Sequence, residues 1–307
     1  MKCRKCRAPA AVNMRHHKLA LCETCFLEWV PEQVQRTIEK YHMFETSERI
    51  LVAVSGGKDS LGLWDILLRL GYAADGVYIH LGIADGDYSD ISQSKVDQFA
   101  AQHQAKVHVV RVADVYGESI PAVAHRKPHR STCGTCGLVK RHIMNQVAAD
   151  GGYAVLATGH NTDDEAAVLV QNTLHWATGY LARQSPVLPS THPRLPRKVK
   201  PLVRMYERDM AAYTILRGID YIYDECPYSV GATTLFYKEL LNQLEEQSAG
   251  AKQQFYLSFL QARREGRLQV QDPGQFQLTE CERCGQPTSA AGLCAFCRLW
   301  DRSEGAA

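Results

Sequence analysis

Short apolar runs alternate with amphipathic stretches through the middle of this chain. Ile50–Val54, Gly76–Leu81, Val107–Val112 and Tyr153–Thr158 are five or six residues long and bounded by glycine or polar residues, as buried strands are. Between and after them, Leu61–Leu70, Ser92–Ala101, Gly137–Ala149 and a stretch from about Asp163 to Leu174 carry helical spacing. This alternation predicts an α/β fold, a Rossmann-like parallel sheet with helices on both faces. Such sheets bind ligands at the strand C-termini, near the reversal of strand order. Ser55, His80 and Gly159 lie at such ends. Upstream, Glu32–His42 reads as a linking helix. Downstream, Arg204–Arg217, Thr233–Glu246 and Ala251–Arg264 read as helices, and residues 183–201, rich in Pro, Arg and Lys, as a loop. The organisation expected is a small module at 1–30, a catalytic domain at 31–270 and a second module at 271–307.

Composition narrows the class. The chain has 307 residues, 22% charged and 45% hydrophobic, ordinary values for a globular protein. No apolar run approaches the roughly 18 residues that span a bilayer. The start, Met-Lys-Cys-Arg-Lys-Cys, lacks the apolar core of a signal peptide, so the cytosol is expected. A net charge of +2 does not announce nucleic acid. The local clusters Arg15–Lys18, His125–Arg130, Lys140–His142 and Arg194–Lys200 read either as solvated surface or as contacts to a polyanion.

The most informative stretch is Ser55-Gly-Gly-Lys-Asp-Ser60, which follows a strand and opens a helix. Backbone N–H groups at a helix N-terminus attract anions. Gly56 and Gly57 let phosphate oxygens approach, Lys58 adds charge, Ser55 and Ser60 add hydroxyls, and Asp59 suits Mg²⁺. The spacing is not that of a Walker A loop. It resembles the SGGxDS signature of the PP-loop ATP pyrophosphatases, which adenylate a carbonyl oxygen and release pyrophosphate.

Eleven cysteines fall as four, three and four. Cys3-x2-Cys6 and Cys22-x2-Cys25 are fifteen residues apart; Cys281-x2-Cys284 and Cys294-x2-Cys297 are nine apart. Paired CxxC knuckles suit closed, structural four-thiolate zinc sites; disulfides are the alternative, disfavoured in a reducing compartment. Cys133, Cys136 and Cys226 form an odd set. Three thiolates can hold three irons of a [4Fe–4S] cluster and leave the fourth open to sulfur. A persulfide relay, a disulfide, or unrelated thiols are the other readings.

A second constellation, Thr158-Gly-His-Asn-Thr-Asp-Asp-Glu165, follows the fourth strand. Gly159 allows a close approach to a nucleotide. His160, Asp163 and Asp164 offer acid–base or Mg²⁺-binding groups, although acidic residues there also cap a helix. Lys140, one turn after Cys136, reaches toward phosphates or sits on a helix surface. His16, His17, His125 and His129 show no ligand spacing and read as surface residues.

These motifs, in this order from Cys3 to Cys297, resemble the TtuA-type tRNA 2-thiouridine synthetases, kin to the cytosolic wobble-uridine thiolases. The resemblance implies a PP-loop domain flanked by N- and C-terminal zinc modules. It implies ATP on Ser55–Ser60, with adenine near Ala53 and Ile79 and further contacts from Gly159. It implies a [4Fe–4S] cluster on Cys133, Cys136 and Cys226, and two Zn²⁺ on the terminal quartets. It implies that Asp59, Lys140, Asp163 and Asp164 carry catalysis with Mg²⁺. The activity implied is adenylation of a uridine C2 carbonyl in tRNA and its replacement by sulfur, at position 54 of the T-loop first and at the wobble position second. The sulfur donor implied is a ubiquitin-like thiocarboxylate or sulfide, and the assembly a homodimer. The rivals are a cluster-free PP-loop amidotransferase-like enzyme and a non-catalytic zinc-ribbon RNA-binding module; the latter leaves Ser55–Ser60 unexplained.

Overall fold

The protein is described by a computed structural model covering residues 1–127, 130–270 and 278–301. The start of the expected second module, residues 271–277, and His129 lie outside the described residues.

The chain opens with a hairpin, β1 (Val12–Met14) and β2 (Leu19–Leu21), and enters α1 (Glu23–Lys40). The sheet domain follows: β3 (Ile50–Ala53), α2 (Lys58–Arg69), β4 (Ala74–His80), α3 (Tyr88–His103), β5 (Val107–Arg111), α4 (Val112–Tyr116), α5 (Ile120–Arg126), α6 (Thr132–Asp150) and β6 (Val155–Thr158). Then come α7 (Thr162–Leu174), α8 (Thr178–Arg183), β7 (Val187–Leu188), β8 (Arg197–Val199) and α9 (Glu207–Leu216). The chain continues through α10 (Thr233–Gln247), α11 (Ala251–Arg264), a second hairpin β9 (Thr279–Glu280) and β10 (Pro287–Thr288), and α12 (Ala295–Leu299).

The six strands of the central sheet run β5-β4-β3-β6-β8-β7, parallel except for the edge strand β7. Alternate residues of β3 point to opposite faces, and both faces are buried. Ile50 and Val52 join the core under α1, α2, α3 and α9. Leu51 joins Val77, Ile79, Val139, Ile143 and Leu156 under α5 and α6. The order reverses between β4-β3 and β6, which places the crevice at the ends of those strands.

Three expected elements are corrected. The linking helix begins at Glu23, with Cys22 at the N-cap position, and runs through Pro31 and past residue 30 without a break. An interior proline costs about 3 kcal/mol. Burial of Cys25, Phe26, Trp29, Val30, Val34 and Ile38 along one stripe offsets it. The presumed loop 183–201 contains β7 and β8, each bracketed by prolines; β8 pairs with β6 and β7 forms the edge. Proline is compatible with such short outer strands. The helix expected from Gly137 begins at Thr132, so Cys133 and Cys136 lie in its first turns. The Ser131 hydroxyl accepts from Gly134 N at 3.1 Å and caps it.

Candidate active site

A cavity of about 340 Å³ opens at the strand-order reversal. Its walls come from the ends of β3, β4 and β6, the N-terminus of α2, and one face of α6. Of the residues singled out in the sequence for nucleotide binding or catalysis, Ala53, Ser55, Gly57, Asp59, Ser60, Ile79, Lys140, Gly159, His160 and Asp164 line it. Gly56, Lys58 and Asp163 do not.

The turn after β3 is tied down by its serines. Ser55 N donates to Ser60 Oγ at 3.0 Å, and Ser60 Oγ donates to Gly57 O at 3.0 Å. Gly56 has φ +80°, and a Cβ there would stand 2.6 Å from Ser92 O. Glycine is required by the turn and by α3, before any phosphate is considered. At Gly159 a Cβ would meet the backbone of Asp59 and Ser60 at 3.0 Å. Its smallness lets β6 pack against the start of α2; that packing is a reason for the glycine beside the expected nucleotide contact.

A chain of alternating charges runs beside the cavity. Lys58 Nζ contacts Asp59 at 3.1 Å and Glu207 at 2.7 Å. Lys238 Nζ contacts Glu207 at 3.1 Å and Asp164 at 2.6 Å. Burial pushes the Asp59 carboxyl up to about 6; Lys58 pulls it down, while Asp164 and Glu207 push it further up. Burial opposes ionisation of Glu207 too, but Lys238 and Lys58 win and hold it down at about 2. Burial also opposes the charge on Lys238, yet Asp164 and Glu207 raise its pKa. Asn161 joins both carboxylate arms: its Nδ2 donates to Asp59 at 3.1 Å, and it forms a capping box with Asp164 at the start of α7. Glu207 and Lys238 were not singled out in the sequence. Neither lies in a motif, and only the packing of α9 and α10 beside the loop brings them there.

Adjacent aspartates have different surroundings. Asp164 faces the cavity, whereas Asp163 is buried, accepts from Glu207 N at 2.8 Å and pairs with the buried Lys252. Lys252 also donates to Asn242 Oδ1 at 2.6 Å.

The three central cysteines gather next to Lys140, a residue that lines the cavity. Cys133 Sγ donates to Tyr228 O at 3.1 Å, just past Cys226. Burial pushes the Cys136 thiol up; Lys140 lowers it, and the neighbouring Cys226 and Cys133 raise it. Tyr88, which lines the cavity, is raised to about 12 by burial and then by Cys226 and Cys136. Lys140 thus lines the cavity and hydrogen-bonds Cys136, and Tyr88 lines the cavity within the field of Cys226 and Cys136. The three sulfurs do not close to the zinc-like spacing of the terminal quartets. That wider set suits a cluster, which interposes iron between its thiolates.

In each terminal quartet all four sulfurs lie within 4.8 Å of one another. Cys6–Cys22 are 3.5 Å apart and Cys284–Cys294 are 3.8 Å apart. Thiolates on a tetrahedral ion at about 2.3 Å stand about 3.8 Å apart, so the donor sets fit zinc. Backbone N–H groups point at the sulfurs, Cys6 N to Cys3 Sγ at 3.5 Å and Cys294 N to Cys281 Sγ at 3.2 Å. The second module docks on α6 by stacking Phe296 on His142, rings 3.7 Å apart. His142 is therefore no part of a basic surface cluster, and burial lowers its pKa to about 4. The surface role expected of His16 and His17 is corrected as well. His16 Nε2 lies 2.9 Å from the buried Asp209 and its ring packs on Tyr206 at 3.9 Å; His17 packs on Trp29. Sequence spacing hid this because Asp209 lies 193 residues away.

Comparison with known proteins agrees with this geometry. Residues 30–231 match the PP-loop domain family, and residues 2–27 match the N-terminal LIM domain of 2-thiouridine synthetase TtuA. A Thermus thermophilus tRNA-5-methyluridine(54) 2-sulfurtransferase is 48% identical over 301 residues, 98% of this chain and 91% of that protein. The Thermotoga maritima protein of the same name is 42% identical, covering 99% and 97%. The U34-tRNA thiolase NcsA from Methanococcus maripaludis, solved with its [4Fe-4S] cluster, shares the fold with TM-score 0.80 at 22% identity, over 97% of this chain and 95% of that one. Among the described residues no helix is long and apolar enough to cross a membrane.

Proposed function

The chain belongs to the tRNA-5-methyluridine(54) 2-sulfurtransferase family, and we propose that it uses ATP to replace O2 of the uridine at position 54 of tRNA with sulfur. One observation carries the reading: Lys140 lines the same cavity as the Ser55–Ser60 turn and hydrogen-bonds Cys136, which sits in the fields of Cys133 and Cys226.

The backbone and hydroxyls of Ser55–Ser60 receive the phosphates of ATP, and Ala53 and Ile79 flank the adenine. Asp59 and Asp164 stand where Mg²⁺ is needed to neutralise the phosphates. Lys58 and Lys238 are held in reserve by Glu207 and turn to the phosphates when that contact opens. The uridine O2 attacks the α-phosphorus, the bond to the β-phosphate breaks and pyrophosphate leaves. A sulfur nucleophile then adds to C2, and the C2–O2 bond breaks as AMP departs with that oxygen. Lys140 stabilises charge on the transferred phosphoryl group, and Asp164 accepts the proton that the sulfur releases. Asp163 is a structural counter-ion to Lys252.

The terminal quartets hold zinc. A [4Fe–4S] cluster on Cys133, Cys136 and Cys226 would supply an open iron for the incoming sulfur. The donor is sulfide or a ubiquitin-like thiocarboxylate, the enzyme a cytosolic homodimer. The target base leaves its stack to reach the cavity, at a cost of roughly a few kcal/mol.

The test uses anaerobically purified protein, ATP, Mg²⁺, sulfide and a tRNA transcript, with nucleosides read by mass spectrometry. Sulfur should appear at position 54, require ATP, and vanish with Asp164→Asn while the variant keeps its melting temperature. Sulfur at another position, or none with an iron-loaded enzyme, would overturn the assignment.

A further inference from the structure

A second cavity, of about 250 Å³, lies between the last turns of α1 and the segment that precedes α9. It is distinct from the ATP cavity and shares no lining residue with it. Its charged walls are all basic: Arg36 and Lys40 from α1, and Arg204 from the opposite side. Arg264, at the end of α11, adds its field to the same place. Among the described residues no carboxylate forms an ion pair with Arg36, Lys40 or Arg204 or lines the cavity, and Arg264 is opposed only by its neighbour Glu265 at the surface. Burial and then the charges of Arg204 and Arg264 hold the Lys40 ammonium below its ordinary range. Like charges gathered without counter-ions destabilise one another, and an anion among them removes that cost.

Two further features suit a single bound anion. His17 lines the cavity, and its buried Nε2 has no hydrogen-bond partner. Gln253 Nε2 donates to Arg204 O at 2.9 Å, which fixes the backbone that carries Arg204. Guanidinium groups recognise phosphate through paired N–H donors. The four cations come from positions 36, 40, 204 and 264, outside every basic run in the sequence; only His17 falls in one, Arg15–Lys18.

We propose that this cleft is a phosphate-binding site for the RNA backbone, which grips one phosphodiester of the tRNA away from the reacting base. This rests on the tRNA reading above. Placed on the α1 side, the contact would fix the register of the substrate without reading its sequence.

The experiment measures tRNA binding by fluorescence anisotropy between 50 and 300 mM potassium chloride, about the range over which phosphate contacts weaken. It compares wild type with Arg36→Gln/Arg204→Gln and with Arg204→Lys; binding of MgATP and inorganic phosphate is measured in parallel. The double variant should bind tRNA about tenfold more weakly near 0.15 M salt, with the slope of log K against log salt reduced by about one. Arg204→Lys should keep the wild-type slope, and MgATP affinity should be unchanged throughout. Unchanged tRNA affinity and slope in the double variant overturn the site. Loss of inorganic phosphate binding with tRNA binding intact overturns the RNA assignment and leaves a site for a free anion. Wild-type protein that binds no tRNA overturns the sulfurtransferase reading and this site together, an outcome distinct from tight binding that the variants do not touch.

Discussion

Replacing Glu207 by glutamine should move the acid limb of MgATP binding to lower pH. The Asp59 carboxyl is held up at about 6, by burial first and then by Asp164 and Glu207, against the pull of Lys58. Glu207 acts on it twice. Its charge repels Asp59, and its 2.7 Å grip on Lys58 competes with the 3.1 Å contact between Lys58 and Asp59. Since both carboxylates touch one Nζ, the contacting oxygens stand no more than about 6 Å apart. Unit charges at that separation repel by about 0.7 kcal/mol in water and about 3 kcal/mol at an effective dielectric of ~20. At ~1.4 kcal/mol per pH unit, losing Glu207 lowers the Asp59 titration by about half a unit to two. Freeing Lys58 adds to this in the same direction. In the proposed mechanism Asp59 must be ionised to hold Mg²⁺, so affinity should be full above about pH 6 and fall as pH drops through that value. In Glu207→Gln the fall should begin about one unit lower. Titrating a fluorescent ATP analogue with Mg²⁺ from about pH 5 to 8 spans both limbs. A limb that stays near 6, or moves upward, would refute the electrostatic account.

Asp163→Asn should destabilise the fold by about 3–5 kcal/mol in urea melts, because it leaves the buried Lys252 without its counter-ion; the same change at Asp164 should instead abolish thiolation and leave the melt nearly in place. Gly56→Ala should cost roughly 1–3 kcal/mol from its φ of +80° and more from the 2.6 Å clash with Ser92 O, seen as a lower melting temperature. Cys226→Ala should lose iron and acid-labile sulfide on elemental analysis while its zinc stays, since none of the eight cysteines in the terminal quartets is touched.

The strand–turn–helix at Ser55–Ser60 was legible because everything it needs is local: an apolar run, two glycines and a helix start within a dozen residues. The quartets were legible because CxxC spacing alone places two sulfurs at one ion. The parallel strands β3 to β6 followed from their apolar length; β7 and β8 escaped notice because prolines and basic residues flank them and only pairing, of β8 with β6 and of β7 with β8, makes them strands. The start of α6 was missed because glycines and cysteines dilute its helical pattern; the Ser131 cap and the packing of its later turns decide it.

The sequence alone determined the enzyme class, the fold class and the family, since those reside in short motifs and their order. It could not separate Asp163 from Asp164, which are neighbours with the same charge. Their difference arises where each side chain ends: one at Lys252 from α11, the other at the cavity beside Lys238 from α10. Nor could it show the Lys58–Glu207–Lys238 chain, the His16–Asp209 pair or the basic cleft of Arg36, Lys40 and Arg204. Each brings together different elements: Lys58 and Glu207, His16 and Asp209, and the α1 cations and Arg204 lie more than a hundred positions apart, and Glu207 and Lys238 lie 31 apart on α9 and α10. Electrostatic energy depends on separation in space, and for such residues only the packing of helices on the sheet sets that separation.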